Sequence, residues 1–293
     1  MREGQVVTFG GLDEPFSRFD SARILIWPIP YEATTTYGRG TIDGPRAILE
    51  ASCHMELYDE EIGGEVYRLG IHTLPPTQLT GPPEQAMHQL YARARELLEE
   101  KKFICALGGE HAITPPIVRA TAEVYPRLSV LQIDAHCDLR PQYDGTPYSH
   151  ACVAARLVDI CPVVQVGVRS LSVEEARALA DLPVKVFYAH HIVGRTDWID
   201  AAIESLSENV YLTIDVDGLD PSLIPATGTP EPGGLSWYET LTLLRRLAEH
   251  RHVVGMDVSE LSPIPHLHAP DFAVAKLIYK TLGYVFRRTL LEG

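Results

Sequence analysis

The sequence has no Cys-x-x-Cys pair, and its five cysteines are scattered singly. That excludes a Cys-rich zinc site or a disulfide scaffold as the organising principle, and a reducing compartment is the expected setting. Basic residues are few: 25 Lys and Arg stand against 39 Asp and Glu, for a net charge of −14. Such a chain repels phosphate backbones and anionic lipid, so nucleic acid and membrane surfaces are not expected partners and a small cationic substrate is. No apolar run is long enough to span a bilayer, and the start MREGQVVTFGG lacks the apolar segment of a leader peptide. A cytoplasmic location is the resulting expectation. Gly/Ser linkers, low-complexity tracts, internal repeats and a phosphate-cradling Gly loop are also missing, so residues 1–293 are expected to form a single domain.

What is present is a chain that is 45% hydrophobic and alternates short apolar runs with amphipathic stretches. Near-continuous apolar strands read as a parallel sheet covered on both faces. ARILIWPIP, FICAL, LSVLQI, VVQVGV, VKVFYA, NVYLTI and VVGM are the strand candidates. Helices are expected over 84–101, around 117–125 and from Pro270 to about Arg288, the last with Phe272, Ala275, Leu277, Ile278, Leu282 and Val285 on its packed side. Ser172 with Glu175, and Ser236 with Glu239, have the spacing of capping boxes that open two further helices. Pro75, Pro76, Pro82 and Pro83 mark a surface loop before a helix.

Four of the strand candidates run directly into acids and histidines. FICAL leads to Glu110 and His111, LSVLQI to Asp134, His136 and Asp138, NVYLTI to Asp215 and Asp217, and VVGM to Asp257 and Glu260. In open α/β sheets, ligands sit beyond the carboxyl ends of the strands, which is where these residues fall. In extended backbone, residues two apart share a face, so Asp134, His136 and Asp138 would project together if the strand continues that far, and Asp215 and Asp217 likewise. Crowded carboxylates repel one another and resist dehydration, and a bound cation relieves both costs. Mixed oxygen and imidazole donors favour manganese, iron, cobalt or zinc over calcium. There are too many donors for one ion, which points to a two-metal centre.

GGEH, DAHCD, TIDVDGLDP followed by PATGTPEPGG, and DVSE, taken together and in this order, resemble the ureohydrolases: arginase, agmatinase and their relatives. The early segment PYEATTTYGRGTIDGPRAI is similar to their substrate-side loop, and the final APDFAVAKLIYKTLGY to their last helix. The resemblance implies a three-layer α-β-α sandwich with a mostly parallel eight-stranded sheet and two Mn2+ per subunit. It implies that one ion takes His111, Asp134, Asp138 and Asp215 and the other Asp134, His136, Asp215 and Asp217. It further implies that Glu260 binds the guanidinium, that Asp138 orients the attacking hydroxide and carries its proton, and that His150 exchanges protons with solvent. Homotrimers or homohexamers are the implied assemblies.

The loop DLRPQYDGTPYSHA after the DAHCD motif lacks the asparagine and serine arrangement by which arginases hold an α-carboxylate. Agmatine is therefore the expected substrate, yielding putrescine and urea in polyamine biosynthesis; guanidinobutyrate, a related guanidino acid or arginine is the alternative, with Arg140 as a carboxylate anchor. A deacetylase-like one-zinc hydrolase, a non-catalytic derivative of the fold and a two-metal phosphodiesterase are the rivals. Cys137 and Cys152 are expected in packing, His190 and His191 in structural roles, His266 and His268 in a solvated loop, and Asp220 in a turn. Tyr143 and Tyr148 are expected to shape the pocket.

Overall fold

The computed structural model describes residues 7–292; the amino-terminal residues 1–6, where the reading for a leader begins, lie outside the described residues. Strands form at β1 (Ile24–Ile29), β2 (Tyr58–Asp59), β3 (Gly64–Glu65), β4 (Ile71–Thr73), β5 (Phe103–Gly108), β6 (Leu128–Ile133), β7 (Val163–Val168), β8 (Val184–Tyr188), β9 (Asn209–Asp215) and β10 (His252–Ser259). Eight of them make one sheet in the order β4-β1-β5-β10-β9-β6-β7-β8, and every pairing described in it is parallel. β2 and β3 form a separate small hairpin.

The alternation within each strand sorts side chains into two cores. Ile24 and Ile26 of β1 join Leu131, Leu212 and Met256 beneath the helices Trp237–His250 and Ala269–Val285. Leu25, Trp27 and Ile29 face the other way, onto Met87, Leu90 and Ile117 from the helices Pro83–Glu99 and Thr114–Val124. Three layers result, α-β-α, and β5, β6 and β7 are buried along their whole length because both faces are covered. Edge strand β8 is half-buried, as its position requires.

Both expected capping boxes are formed, Ser172 with Glu175 and Ser236 with Glu239. Two expectations need correction. The segment expected as a continuous loop through Ile48 becomes helical from Gly44 to Ser52, where Pro45 sits in the first turn and needs no amide partner. Phe272 is 39% exposed rather than packed, while Val274 and Tyr279 take the buried face of the last helix. His190 and His191 stand exposed in the short helix Ala189–Ile192 after β8, their rings 3.9 Å apart.

Lys280, buried in that last helix, reaches Asp59 Oδ2 at 3.1 Å and Glu60 Oε1 at 3.1 Å. Asp59 is fully buried, and its other oxygen accepts the amides of Glu61 and Ile62. The pair fastens the β2–β3 hairpin to the helix. Lys280→Met is expected to leave the Asp59 charge unpaired and to lower stability by about 3 kcal/mol. Urea unfolding should then show an earlier midpoint with an unchanged slope; an unchanged midpoint would refute the assignment.

Candidate metal centre

The strands that run into the acid clusters, β5, β10, β9 and β6, are the four adjacent central strands of the sheet. Their carboxyl ends therefore bring together residues that are far apart in the chain. His111 opens a short turn after β5, and its backbone can get there because Gly109 has no side chain: a Cβ on it would lie 2.2 Å from the Tyr31 carbonyl oxygen. Gly218 serves a similar end, since a Cβ there would stand 2.8 Å from the Asp134 amide nitrogen.

Extended alternation explains less of the site than expected. β6 ends at Ile133, and Asp138 turns inward through a left-handed backbone at φ 52°. Asp215 is the last residue of β9, and Asp217 sits in the turn Val216–Gly218, held by its amide donating to Asp215 Oδ1 at 2.9 Å. Glu260 follows β10 with φ 66° and accepts the His111 amide at 2.6 Å.

Two groups of donors result: His111, Asp134 and Asp215, and Asp134, His136 and Asp217, with Asp134 common to both. His111 Nδ1 lies 3.3 Å from Asp134 Oδ2, 3.4 Å from Asp215 Oδ2 and 3.6 Å from Asp138 Oδ2. That nitrogen is buried and makes no hydrogen bond among the described residues. His136 Nδ1 lies 2.9 Å from Asp217 Oδ2 and 3.7 Å from Asp134 Oδ1. Donors about 2.0–2.2 Å from one cation stand about 3.0–3.6 Å from each other, so these spacings suit shared ions.

The electrostatics agree. Burial, then repulsion from Asp134, pushes Asp138 up to about 7, and burial with Asp217 and Asp134 raises Asp215. Burial works against a charged His136, but Asp217 and Asp134 overcome it and carry the ring up to about 11. Carboxylates that resist ionising beside histidines that hold protons make a cluster short of positive charge. Divalent cations fit this donor set.

The supporting contacts run outward from the donors. His111 Nε2 meets Thr213 Oγ1 at 2.8 Å, and Thr213 donates to Asp257 Oδ1 at 2.7 Å, which selects the tautomer with Nδ1 free. Arg169 donates to the backbone carbonyls of Gly167, Asp217, Glu231 and Pro232, tying the Asp217 turn to the TPEPGG loop. Glu110 is fully buried and accepts the Ala33 and Thr34 amides and the Thr34 hydroxyl, at 2.6, 2.7 and 2.5 Å. None of these roles was evident in the sequence, although the acids of GGEH and DVSE gave a signal for Glu110 and Asp257.

Asp138, His150, Asp215, Asp217 and Glu260 line one cavity of about 290 Å3. His150 stands over Tyr143, ring centres 6.0 Å apart, and its amide donates to Thr34 Oγ1 at 3.1 Å. Burial, then the charge that the His136 and His111 rings carry without metal, holds His150 below an ordinary imidazole. Tyr148 packs instead beside the second core. Cys137 is buried and its thiol points to Gln165, away from the donors, and Cys152 is fully buried. Asp220 organises a turn by accepting the amides of Ser222, Gly233 and Gly234. His266 and His268 are exposed. A larger groove, about 1130 Å3, lies at the amino-terminal ends of the central strands, opposite the site, and includes none of these donors.

The profile described as "Arginase family" matches residues 22–283. Over 283 residues, 92% of either chain, the sequence is 40% identical to the N(1)-aminopropylagmatine ureohydrolase of a Synechocystis species. It is 31% identical to the agmatinase of Pyrococcus horikoshii over 275 residues, covering 93% of this chain and 95% of that one. The crystal structure of the agmatine ureohydrolase of Thermoplasma volcanium superposes with a TM-score of 0.87 at 28% identity, covering 97% of this chain and 96% of that one.

Proposed function

The chain belongs to the arginase family and is an amidinohydrolase of agmatinase type, and from that premise we propose that it hydrolyses the guanidino group of N(1)-aminopropylagmatine, with agmatine as the second reading. The family depends on a binuclear metal centre; the proposed occupants are two Mn2+, held by His111, Asp134, Asp138 and Asp215 on one side and by Asp134, His136, Asp215 and Asp217 on the other. The observation that carries the reading is the pair of donor groups joined at Asp134, whose His136, Asp215 and Asp217 line one cavity with Glu260.

When bound, such a pair makes water acidic enough to act as a nucleophile near neutral pH. The residues of the chain do the rest. Glu260 holds the planar guanidinium through charge-assisted hydrogen bonds and so fixes its carbon against the attacking oxygen. Asp138 orients that oxygen and takes its proton, which then passes to the alkyl nitrogen as its bond to carbon breaks. Neutral His150 accepts a proton from the site and gives it to solvent. Urea and the alkyl amine are the products. Glu110, saturated by Thr34 and Ala33, holds the loop beneath His150 in place.

Two features support an amine over a guanidino acid. Arg140, the expected carboxylate anchor, is already engaged: its guanidinium lies 5.3 Å over the Tyr143 ring, and Nη2 is 3.9 Å from Glu175 Oε2. The Glu231 carboxylate stands partly exposed beside His136, an acidic neighbour for a cationic tail. The longer amine ranks first because the relative at 40% identity acts on it and the agmatinase stands at 31%. The same reading carries a single catalytic domain, a cytoplasmic place in polyamine biosynthesis, and a homotrimer or homohexamer.

Urea release from a panel after manganese loading tests the substrate. We expect kcat/KM for N(1)-aminopropylagmatine about tenfold or more above that for agmatine, as about 1.4 kcal/mol from one added ammonium contact requires. Guanidinobutyrate and arginine should trail both. Faster turnover of either acid would overturn the reading.

A further inference from the structure

Two buried glutamines stand beside the donor cluster. Gln132 on β6 and Gln165 on β7 are register partners in the sheet, and both are fully buried. A strand covered on both faces is expected to carry apolar side chains, and an amide placed there must find every partner inside the protein. Gln132 lies two residues before Asp134 and donates from Nε2 to Asp134 Oδ2 at 2.8 Å. Gln165 donates from Nε2 to Gln132 Oε1 at 3.1 Å and to the Cys137 carbonyl at 2.7 Å. The Cys137 thiol donates back to Gln165 Oε1 at 3.5 Å.

This chain of bonds has only one polarity. A backbone carbonyl only accepts, so the Cys137 carbonyl fixes the amide group of Gln165 with its nitrogen inward. Gln165 then offers a donor to Gln132, which must answer with its oxygen. The Gln132 nitrogen is left facing Asp134. Reversing Gln132 would set its oxygen against the carboxylate and its nitrogen against another N–H. The Cys137 carbonyl thus determines, through two side chains, what Asp134 meets.

We propose that Gln132 and Gln165 are positioning residues for the metal centre, with Gln165 acting through Gln132 to hold the plane of the Asp134 carboxylate. The inference rests on the binuclear reading above, in which Asp134 serves both ions. A carboxylate shared by two ions must keep both oxygens at fixed angles, and outer hydrogen bonds that do this are worth about 10- to 100-fold in metal affinity.

The test uses the full chain stripped by chelation, with Mn2+ alone as the probe. Binding is followed from the free-ion EPR signal, and the bound pair from its exchange-coupled spectrum. Gln132→Met is expected to weaken binding by about 10- to 100-fold and to alter the coupled spectrum. Gln165→Met should weaken it by a smaller factor, and the double variant should match Gln132→Met, because a residue that acts through another adds nothing once that residue is gone. A Gln165→Met loss that persists in full in the Gln132→Met background would overturn the relay. If wild type binds two ions and both single variants leave affinity and spectrum unchanged, this inference alone fails. If wild type binds no manganese pair, the binuclear reading fails and takes this one with it. Should Gln132→Met not fold, Gln165→Met, which touches none of the donors, decides by itself.

Discussion

Asp215→Ala is expected to lower urea release at least about a thousandfold, equivalent to about 4 kcal/mol in the barrier, and to abolish retention of the metal pair. Asp215 takes part in both halves of the donor cluster. Its Oδ2 is 3.4 Å from the orphaned His111 Nδ1, and its Oδ1 accepts the Asp217 amide and so shapes the turn that aims Asp217 at His136. Alanine removes a donor from one group and the support from the other. Asp215→Asn separates the two effects: its amide oxygen can still accept the Asp217 amide, but its charge is gone, and the same loss of metal is expected. Elemental analysis and urea assay check both variants. Each bound ion also stabilises the wild type against heat, by about 2.7 kcal/mol when the free ion is at a hundred times its dissociation constant. Neither variant should show that manganese-dependent shift. An Asp215→Ala enzyme with full metal content and full turnover would sink the scheme.

The parts of the molecule that were legible in the sequence are those set by local pattern. VVQVGV is β7 from end to end, and LSVLQI is β6, because a strand buried on both faces is mostly apolar, Gln132 and Gln165 being exceptions that are hydrogen-bonded internally. The capping boxes at Ser172 and Ser236 carry their partners three residues on, so they too are local. β4 was missed: only Ile71, His72 and Thr73 pair, at the edge of the sheet, which is too short for any period to show. Within the site, the order of the acids and their place after strands was legible, but the way they turn inward was not. Asp138 and Glu260 depend on left-handed backbone, which neither residue type announces. The outer contacts were hidden for a different reason. Thr213 and Asp257 are 44 residues apart and Gln132 and Gln165 are 33 apart, so only the strand order makes them neighbours. Phe272 illustrates the converse, since helical period alone placed an exposed ring on the buried face.

Glu260→Gln should separate substrate binding from metal binding. Glu260 is buried, and burial together with the nearby Glu110 charge raises its pKa well above that of an ordinary glutamate. One oxygen is occupied by the His111 amide, which comes from a residue 149 positions away. Glu110 cannot share the work, because Thr34 and Ala33 already fill its oxygens. Glu260 is thus the carboxylate in the cavity with both a free oxygen and an uncompensated charge, and a guanidinium supplies the missing countercharge. Glutamine has the same shape and keeps an acceptor for His111, so the donor cluster should still take up its ions. What it loses is the ion pair with the substrate. Truncating one partner of such a buried, hydrogen-bonded pair costs about 2–5 kcal/mol, or about 30- to 5,000-fold in kcat/KM. Manganese content and the manganese-dependent thermal shift should match wild type while kcat/KM falls into that range. Loss of metal would move Glu260 into the donor set, and kcat/KM within threefold of wild type would leave the guanidinium without its partner.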